Sequence, residues 1–231
     1  MKKQQIAEMF DGIAGSYDFL NHFLSAGIDI YWRKRAVGIL KKYSHRKILD
    51  VATGTADLAI EAAKLSPSKI IGIDISEKML EIGRKKISKL GFDDKIELIL
   101  ANCENLPFKD NYFNAITVGF GVRNFENLEK GLSEMYRVLD VNGIVVILEF
   151  SKPKIFPLNY IFNFYFKNIL PVIGKIISKD SRAYTYLPRS VQAFPDGKDF
   201  LKIMQSIGFS DLQQTKLTFG IASIYVGKKL T

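Results

Sequence analysis

From Lys47 to Phe150 the sequence repeats one unit: a short β-branched apolar run, a loop of small or polar residues, and an amphipathic stretch. That repetition restricts the fold more than any other feature. Strands are expected at Lys47–Val51, Lys69–Ile75, Lys95–Leu100, Phe113–Phe120 and Ile144–Phe150. Between them run helical patterns through Leu58, Ala62 and Leu65, from Ser76 as N-cap to a stop at Gly91, and from about Leu128 to Leu139. Alternating strands and helices need right-handed crossovers, so an α/β, doubly wound, mainly parallel sheet is expected. The tail differs: one helix over Asp196–Gly208, then two strands, Phe209–Leu217 and Gly220–Lys228, joined by a Thr-Phe-Gly turn as an antiparallel edge hairpin. Helices are expected over Met1–Tyr43, and an apolar helical insertion over Ile155–Ile177.

The 231 residues make one domain the default, divided as a helical cap (1–45), a cofactor-binding core (46–152), an apolar insertion or lid (153–195) and a C-terminal helix and hairpin (196–231). The net charge of +9 points to an anionic partner, yet the Lys residues are scattered and form no basic block or stripe, which argues against nucleic acid. A single Cys103 beside only His22 and His45 excludes a disulfide scaffold and a zinc module, so no metal is expected. The N-terminus, MKKQQIAEMF, lacks the apolar stretch of a secretory signal, so the expected location is the cytoplasm.

In an open parallel sheet, ligands bind beyond the carboxyl ends of the strands where the strand order reverses. The first loop there is Asp50-Val-Ala-Thr-Gly-Thr-Ala-Asp57. Only Gly54 remains of the glycines a pyrophosphate would need, which disfavours NAD. An acid on each side of a tight small-residue loop, Asp50 and Asp57, instead suits a zwitterionic, cationic ligand such as S-adenosyl-L-methionine; a plain strand-to-helix turn is the alternative. Asp74, ending the second strand, lies where a carboxylate meets ribose hydroxyls in such folds, or else compensates the helix beginning after Ser76. Asn102-Cys103-Glu104 follows the third strand and offers groups to an adenine edge; the Cys103 thiol reads as packing, since no basic partner adjoins it.

These residues resemble the class I methyltransferases that use S-adenosyl-L-methionine, with Ala52 and Ala56 where glycines are usual. Two longer segments, Tyr17-Asp-Phe-Leu-Asn21-His-Phe-Leu-Ser25-Ala-Gly-Ile-Asp29-Ile-Tyr-Trp32 and Arg137-Val-Leu-Asp140-Val-Asn-Gly143-Ile-Val-Val-Ile-Leu-Glu149-Phe-Ser151, resemble the two signatures of the ubiquinone/menaquinone biosynthesis C-methyltransferases, the UbiE/MenG family. Leu20 replaces a Met, Asp29 a His and Asp140 a Lys of those signatures, Asp140 in an expected turn. The likeness extends through Phe120-Gly-Val-Arg-Asn124 and Tyr184-Thr-Tyr-Leu-Pro. It implies a Rossmann-like methyltransferase fold, cofactor contacts at Thr55, Asp74, Asn102 and Cys103 beside Asp50 and Gly54, and methylation of a ring carbon on a polyprenylated quinol. Demethylmenaquinol is the expected substrate, with the benzoquinol of ubiquinone synthesis as alternative. A lipid-binding module without catalysis is a third reading.

Quinol methylation needs alignment and a proton acceptor rather than a protein nucleophile. Arg123, with Asn124, is placed to stabilise a phenolate, unless Arg123 spends its charge on a surface pair with Glu126 or Glu129. His22, Asp18 and Asp29 are candidate bases in the N-terminal segment, and Tyr17 and Tyr184 candidate substrate contacts. The insertion is too interrupted by Pro157, Pro171, Lys167 and Asn residues to span a bilayer, so it reads as a buried helix pair or as a lid holding a prenyl tail through Phe162 and Phe166 at an anionic membrane surface. Peripheral membrane contact and self-association are therefore both compatible with the chain.

Overall fold

The structure is a computed structural model that describes residues 3–25, 27–169 and 182–230, with side chains except at 3, 19–21, 23, 24, 158, 163, 166, 167 and 182–185. Five strands form the parallel body of one sheet: β1 (Lys47–Val51), β2 (Lys69–Asp74), β3 (Ile96–Leu100), β4 (Phe113–Gly119) and β5 (Leu139–Phe150). Two antiparallel strands, β6 (Ser210–Leu217) and β7 (Ala222–Lys228), complete it in the order β3-β2-β1-β4-β5-β7-β6. The order reverses between β1 and β4, as the alternation pattern requires.

Burial explains the sequence of each strand. Ile48, Ile70, Val146 and Leu148 face one side of the sheet, where α2 (Ile28–Leu40), α3 (Asp57–Ala63) and α4 (Glu77–Lys89) cover them with Trp32, Leu40, Leu58 and Leu80. Leu49, Ile73, Ile116 and Ile147 face the other, under α5 (Leu128–Val138) and α8 (Lys198–Ile207) with Leu132, Met135, Phe200 and Met204. Strands covered on both faces are rich in apolar residues throughout, and β7 is buried on both faces too, with Ile224 and Val226 in one core and Tyr225 in the other. The outer β6 alternates instead, with one face in solvent.

Helix boundaries follow local chemistry. Ser76 Oγ accepts from Met79 N at 3.3 Å to cap α4, which stops before Gly91 at φ +70°. Asn127 caps α5 in the same way at 3.0 Å. Two expectations are corrected: β5 begins at Leu139 rather than Ile144, so Asp140 belongs to the irregular start of a strand rather than to a separate turn, its side chain accepting from Asn114. The tail helix starts at Lys198 rather than Asp196, because Gly197 at its N-cap has φ +72° and lies outside the helical region, while Asp196 before it pairs with Lys152. The cap is α1 (Lys3–Leu24) and α2; the insertion forms α6 (Leu158–Phe164), which widens into a looser turn over Tyr165–Ile169, and α7 (Arg182–Ala193) follows. Residues 170–177 of the expected insertion lie outside the described residues.

Candidate active site

A cleft opens at the carboxyl ends of β1, β2 and β4. Its floor is the loop after β1, its walls come from the ends of β2 and β4, and α1 roofs it with Ile6, Phe10 and Tyr17, one helical face. The loop keeps a glycine-like shape without the glycines. Ala52 and Ala56 hold φ of +54° and +68°, values that cost an L-residue roughly 1–2 kcal/mol each. An Ala56→Gly variant should therefore keep or raise the unfolding free energy, against the usual loss of about 1 kcal/mol for Ala→Gly in a helix interior. Thermal denaturation checks this, and a clear drop in Tm would count against a strained Ala56.

Asp74 ends β2 with its carboxylate fixed in place. Oδ2 accepts from Gly54 N at 2.8 Å and Oδ1 from Ser76 N at 3.0 Å, so one side chain ties the loop to the start of α4. Burial pushes its pKa up, against the pull of those N–H donors. Each oxygen retains a further acceptor site toward the cleft. Gly54, Asn102 and Cys103 also line the cleft. Asp50 and Thr55 do not: Asp50 lies beneath the loop, accepting from Thr53 and Thr117 hydroxyls at 2.6 Å each, and burial pushes its pKa up to about 6. Thr55 Oγ1 turns away to donate to Asp18 at 2.5 Å. Asp18 is paired in turn with Lys86 at 2.9 Å, a distribution that makes it an anchor of α1.

Arg123 follows β4 in a single tight turn, Val122–Asn124. Its partner is neither Glu126 nor Glu129 but Glu149 on β5, at 2.7 Å and almost fully buried on both sides. Arg123 Nη1 also donates to the Phe120 carbonyl. Burial raises the Glu149 pKa while the Arg123 guanidinium opposes it. Among the described residues, Arg123 Nε and Asn124 Oδ1 are buried without hydrogen-bond partners, and Asn124 lines the cleft. Buried orphan polar atoms at a cleft are sites where a ligand supplies the missing partner. Tyr186 of α7 lies within electrostatic reach of both Arg123 and Glu149. Sequence reading selected Tyr184 instead; its side chain and that of Phe166 lie outside the described ones. Ala52, Phe10 and Phe120 also line the cleft, and the helical spacing of Ile6 and Phe10 was the signal available for the roof.

The two other candidate bases meet each other. His22 Nδ1 lies 2.8 Å from Asp29 Oδ2 across the α1–α2 junction. Ser25 Oγ donates to Asp29 at 2.6 Å and Arg33 pairs with it at 2.8 Å. Burial would raise the Asp29 pKa, but Ser25, Arg33 and His22 together hold it below the ordinary carboxylate value. An ionised Asp29 accepts a hydrogen bond from Nδ1–H and leaves His22 Nε2 as the acceptor nitrogen. Phe162 does not face solvent: it packs inward on Val191, Phe150 and Ile221.

The model of the ubiE/COQ5 methyltransferase family matches residues 1–229. The chain belongs to the ubiE/COQ5 methyltransferase family. It is 49% identical over 229 residues to a demethylmenaquinone methyltransferase of Bacteroides fragilis, covering 99% of this chain and 94% of that one. It is 48% identical over 230 residues to a Geotalea daltonii ubiquinone/menaquinone biosynthesis C-methyltransferase UbiE, covering 99% and 97%. Among solved structures, an S-adenosyl-L-methionine-dependent methyltransferase described as putative, from Methanococcus maripaludis, superimposes with TM-score 0.66 at 21% identity, covering 94% and 92%. The [4+2]-cyclase SpnF superimposes with TM-score 0.68 at 15% identity, covering 99% and 97%, so the fold is shared across different reactions. As a member of this family the chain is an S-adenosyl-L-methionine-dependent methyltransferase, which overturns the reading of a module without catalysis. The cleft fits that cofactor in the fixed Asp74 carboxylate and in the apolar walls supplied by Ile75 and Phe120.

Proposed function

We propose that demethylmenaquinol is the preferred substrate of this chain's reaction, the S-adenosyl-L-methionine-dependent C-methylation of a quinol in menaquinone or ubiquinone biosynthesis. Relatives at 49% and 42% identity named demethylmenaquinone methyltransferase support the naphthoquinol over the benzoquinol. The observation that carries the mechanism is the pair of buried orphan atoms, Asn124 Oδ1 on the cleft wall and Arg123 Nε on the residue before it, which is not itself among the cleft-lining residues.

Bound S-adenosyl-L-methionine supplies an electrophilic methyl group. Asp74 would hold its ribose, Gly54 and the loop its amino-acid end, and Asn102 and Cys103 its base. At the quinol ring a C–H bond is replaced by C–CH3 and one proton is released, so the site must favour the ring oxyanion and accept a proton. Arg123 favours the oxyanion: it stays charged, and its Nε–H lacks a partner in a water-poor site. Glu149 and the Phe120 carbonyl keep the guanidinium from swinging away. Asn124 accepts the quinol hydroxyl on the other side. His22, with Nδ1 committed to Asp29, accepts the proton at Nε2.

Initial rates with demethylmenaquinol and a matched benzoquinol test the substrate: kcat/KM at least tenfold higher for the naphthoquinol is expected, and the reverse order would refute the preference. For the base, His22→Ala should lower turnover about 100-fold and remove the acid limb of the kcat profile, whereas Asp29→Asn slows turnover but keeps that limb. An unaltered limb in His22→Ala would remove His22 from proton transfer. Peripheral contact with an anionic membrane belongs to the same reading, supported by a prenylated substrate and the charge of +9; among the described residues no helix is long and apolar enough to cross a membrane.

A further inference from the structure

Large apolar side chains are exposed on three elements that lie far apart in the sequence. Phe156, Tyr160 and Phe164 are 78%, 67% and 60% exposed on and before α6, and Phe219 is 69% exposed at the β6–β7 turn. Ile28 and Tyr31 are exposed at the start of α2, three residues apart on one helical face. The fold joins these elements. Trp32 Nε1 donates to Thr218 Oγ1 at 2.8 Å, fastening α2 to the turn. Ser151 Oγ donates to the Gly220 carbonyl at 2.8 Å, and Gly220 packs against Pro153, fastening the turn to the root of the insertion.

The turn is also conformationally costly. Thr218 and Phe219 have φ of +45° and +57°, a region in which bulky and β-branched residues are outliers, and the strained backbone carries the Phe219 ring into solvent. Hydrogen bonds from Trp32 and Ile221 hold Thr218, whereas the Phe219 ring is mostly exposed. The three segments themselves are mostly of one charge, and the acids that reach them from neighbouring elements, Asp196 and Asp57, are paired with Lys152 and Arg33. Lys34, Lys154 and Lys216 are exposed and form no ion pair among the described residues. Across 28–40, 152–169 and 215–222 the only acid is Asp29, which is buried and already paired.

We propose that these three elements form one surface that seats the protein on an anionic lipid bilayer, with Phe219 and the α6 aromatics entering the headgroup boundary and the lysines meeting the phosphates. Charge complementarity selects lipid: an apolar face bearing exposed lysines with no ion-pair partner among the described residues repels a second copy of itself and matches an interface of hydrocarbon beneath negative headgroups. The surface continues to the cleft. Phe120, which lines the cleft, lies 6.0 Å from Trp32 and 4.6 Å from Phe150 between ring centroids, and Phe150 packs with Phe162 and Ile221. A continuous chain of packed apolar side chains thus links the seated face to the cleft. The seating deepens the peripheral membrane contact of the function proposed above and rests on that reading, as does the entry of a prenylated quinol from this face.

The full chain is mixed with vesicles of phosphatidylcholine alone or with phosphatidylglycerol, and bound protein is measured by cosedimentation. Binding to the anionic vesicles that falls as salt rises is expected. Phe219→Asn should lower it about tenfold while leaving Tm unchanged or higher, since Asn tolerates the left-handed backbone. Lys216→Gln should lower it about fivefold. Leu90→Ser, exposed on another element, should leave it unchanged. Failure of the wild-type protein to bind anionic vesicles at low salt, or wild-type binding by Phe219→Asn, would overturn the seating. So would a dimer in solution that Phe219→Asn abolishes, which would make a second copy the occupant. Phe219→Asn should also lose activity on a long-tailed quinol in vesicles while keeping it on a short-tailed soluble analogue. If binding falls but both activities persist, the seating stands and the lipid route to the ring site fails.

Discussion

In an Arg123→Ala variant, turnover is expected to fall by about 10²–10³-fold while affinity for S-adenosyl-L-methionine changes little. The reason is where its charge acts. Oxyanion stabilisation grows toward the transition state, and removing one preorganised donor of that kind costs about 2.7–4 kcal/mol. The same change strips Glu149 of its counterion inside the protein, since the carboxylate has no measurable exposure. Removing one member of a buried ion pair destabilises by about 3–5 kcal/mol, so the variant should also unfold at lower denaturant. The two effects separate in Arg123→Ala/Glu149→Gln, where the buried charge is gone: stability should recover much of the loss, and turnover should not. Single-turnover rates, calorimetric cofactor titration and urea unfolding read the three quantities. Recovery of turnover in the double variant would show that Arg123 acts only by neutralising Glu149.

Asp74→Ala should fail at the earlier step. Two ribose hydroxyls lose a charged acceptor, at about 1.5–3 kcal/mol per charge-assisted bond, a loss of at least tenfold in affinity for each. The variant also unties Gly54 from Ser76, so a second penalty falls on the loop itself. Asp74→Asn distinguishes the two: its amide oxygen can hold one of these backbone groups but carries no charge, so it should bind more tightly than Asp74→Ala and less tightly than the wild type. Isothermal titration with the cofactor measures this series. Equal affinity in all three proteins would place the ribose elsewhere.

What the sequence disclosed and what it concealed divide by range. Strands covered on both faces announced themselves as apolar runs, and Ser76, Gly91 and Gly54 marked boundaries through short-range chemistry that any reader of turns and caps would recognise. Asp74 was legible because its distance along the chain from the loop is set by the βαβ unit itself. Pairings across the chain were not legible. Arg123 has glutamates three and six residues away, yet it reaches Glu149 because β4 and β5 run side by side and bring their carboxyl ends together. His22 and Asp29 read as rivals for one role, and only the bend between α1 and α2 makes them a pair. Asp50 and Thr55 sat in the right loop with the wrong aspect: a residue-by-residue spacing carries no information on which side of a tight turn faces the ligand. Phe162 and Phe156 look alike in the sequence, but one is buried and the other is among the most exposed aromatics described.

The reversal of strand order has a bearing on how the chain folds. β2 and β3 each add to their predecessor after one local crossover, whereas β1 and β4 meet only when the chain from Ile48 to Ala115 has closed on itself. Long-range parallel pairing of this kind is entropically expensive and slow, so the β1–β4 seam is the natural late event in assembly. The cofactor cleft lies across that same seam, with Ala52 and Gly54 on one bank and Phe120 and Asn124 on the other. A ligand held there spans two parts of the chain that have the least local reason to stay together. S-adenosyl-L-methionine bound across that seam, as proposed, would stabilise the folded sheet as well as supply the methyl group, because a ligand that binds only the folded state stabilises it.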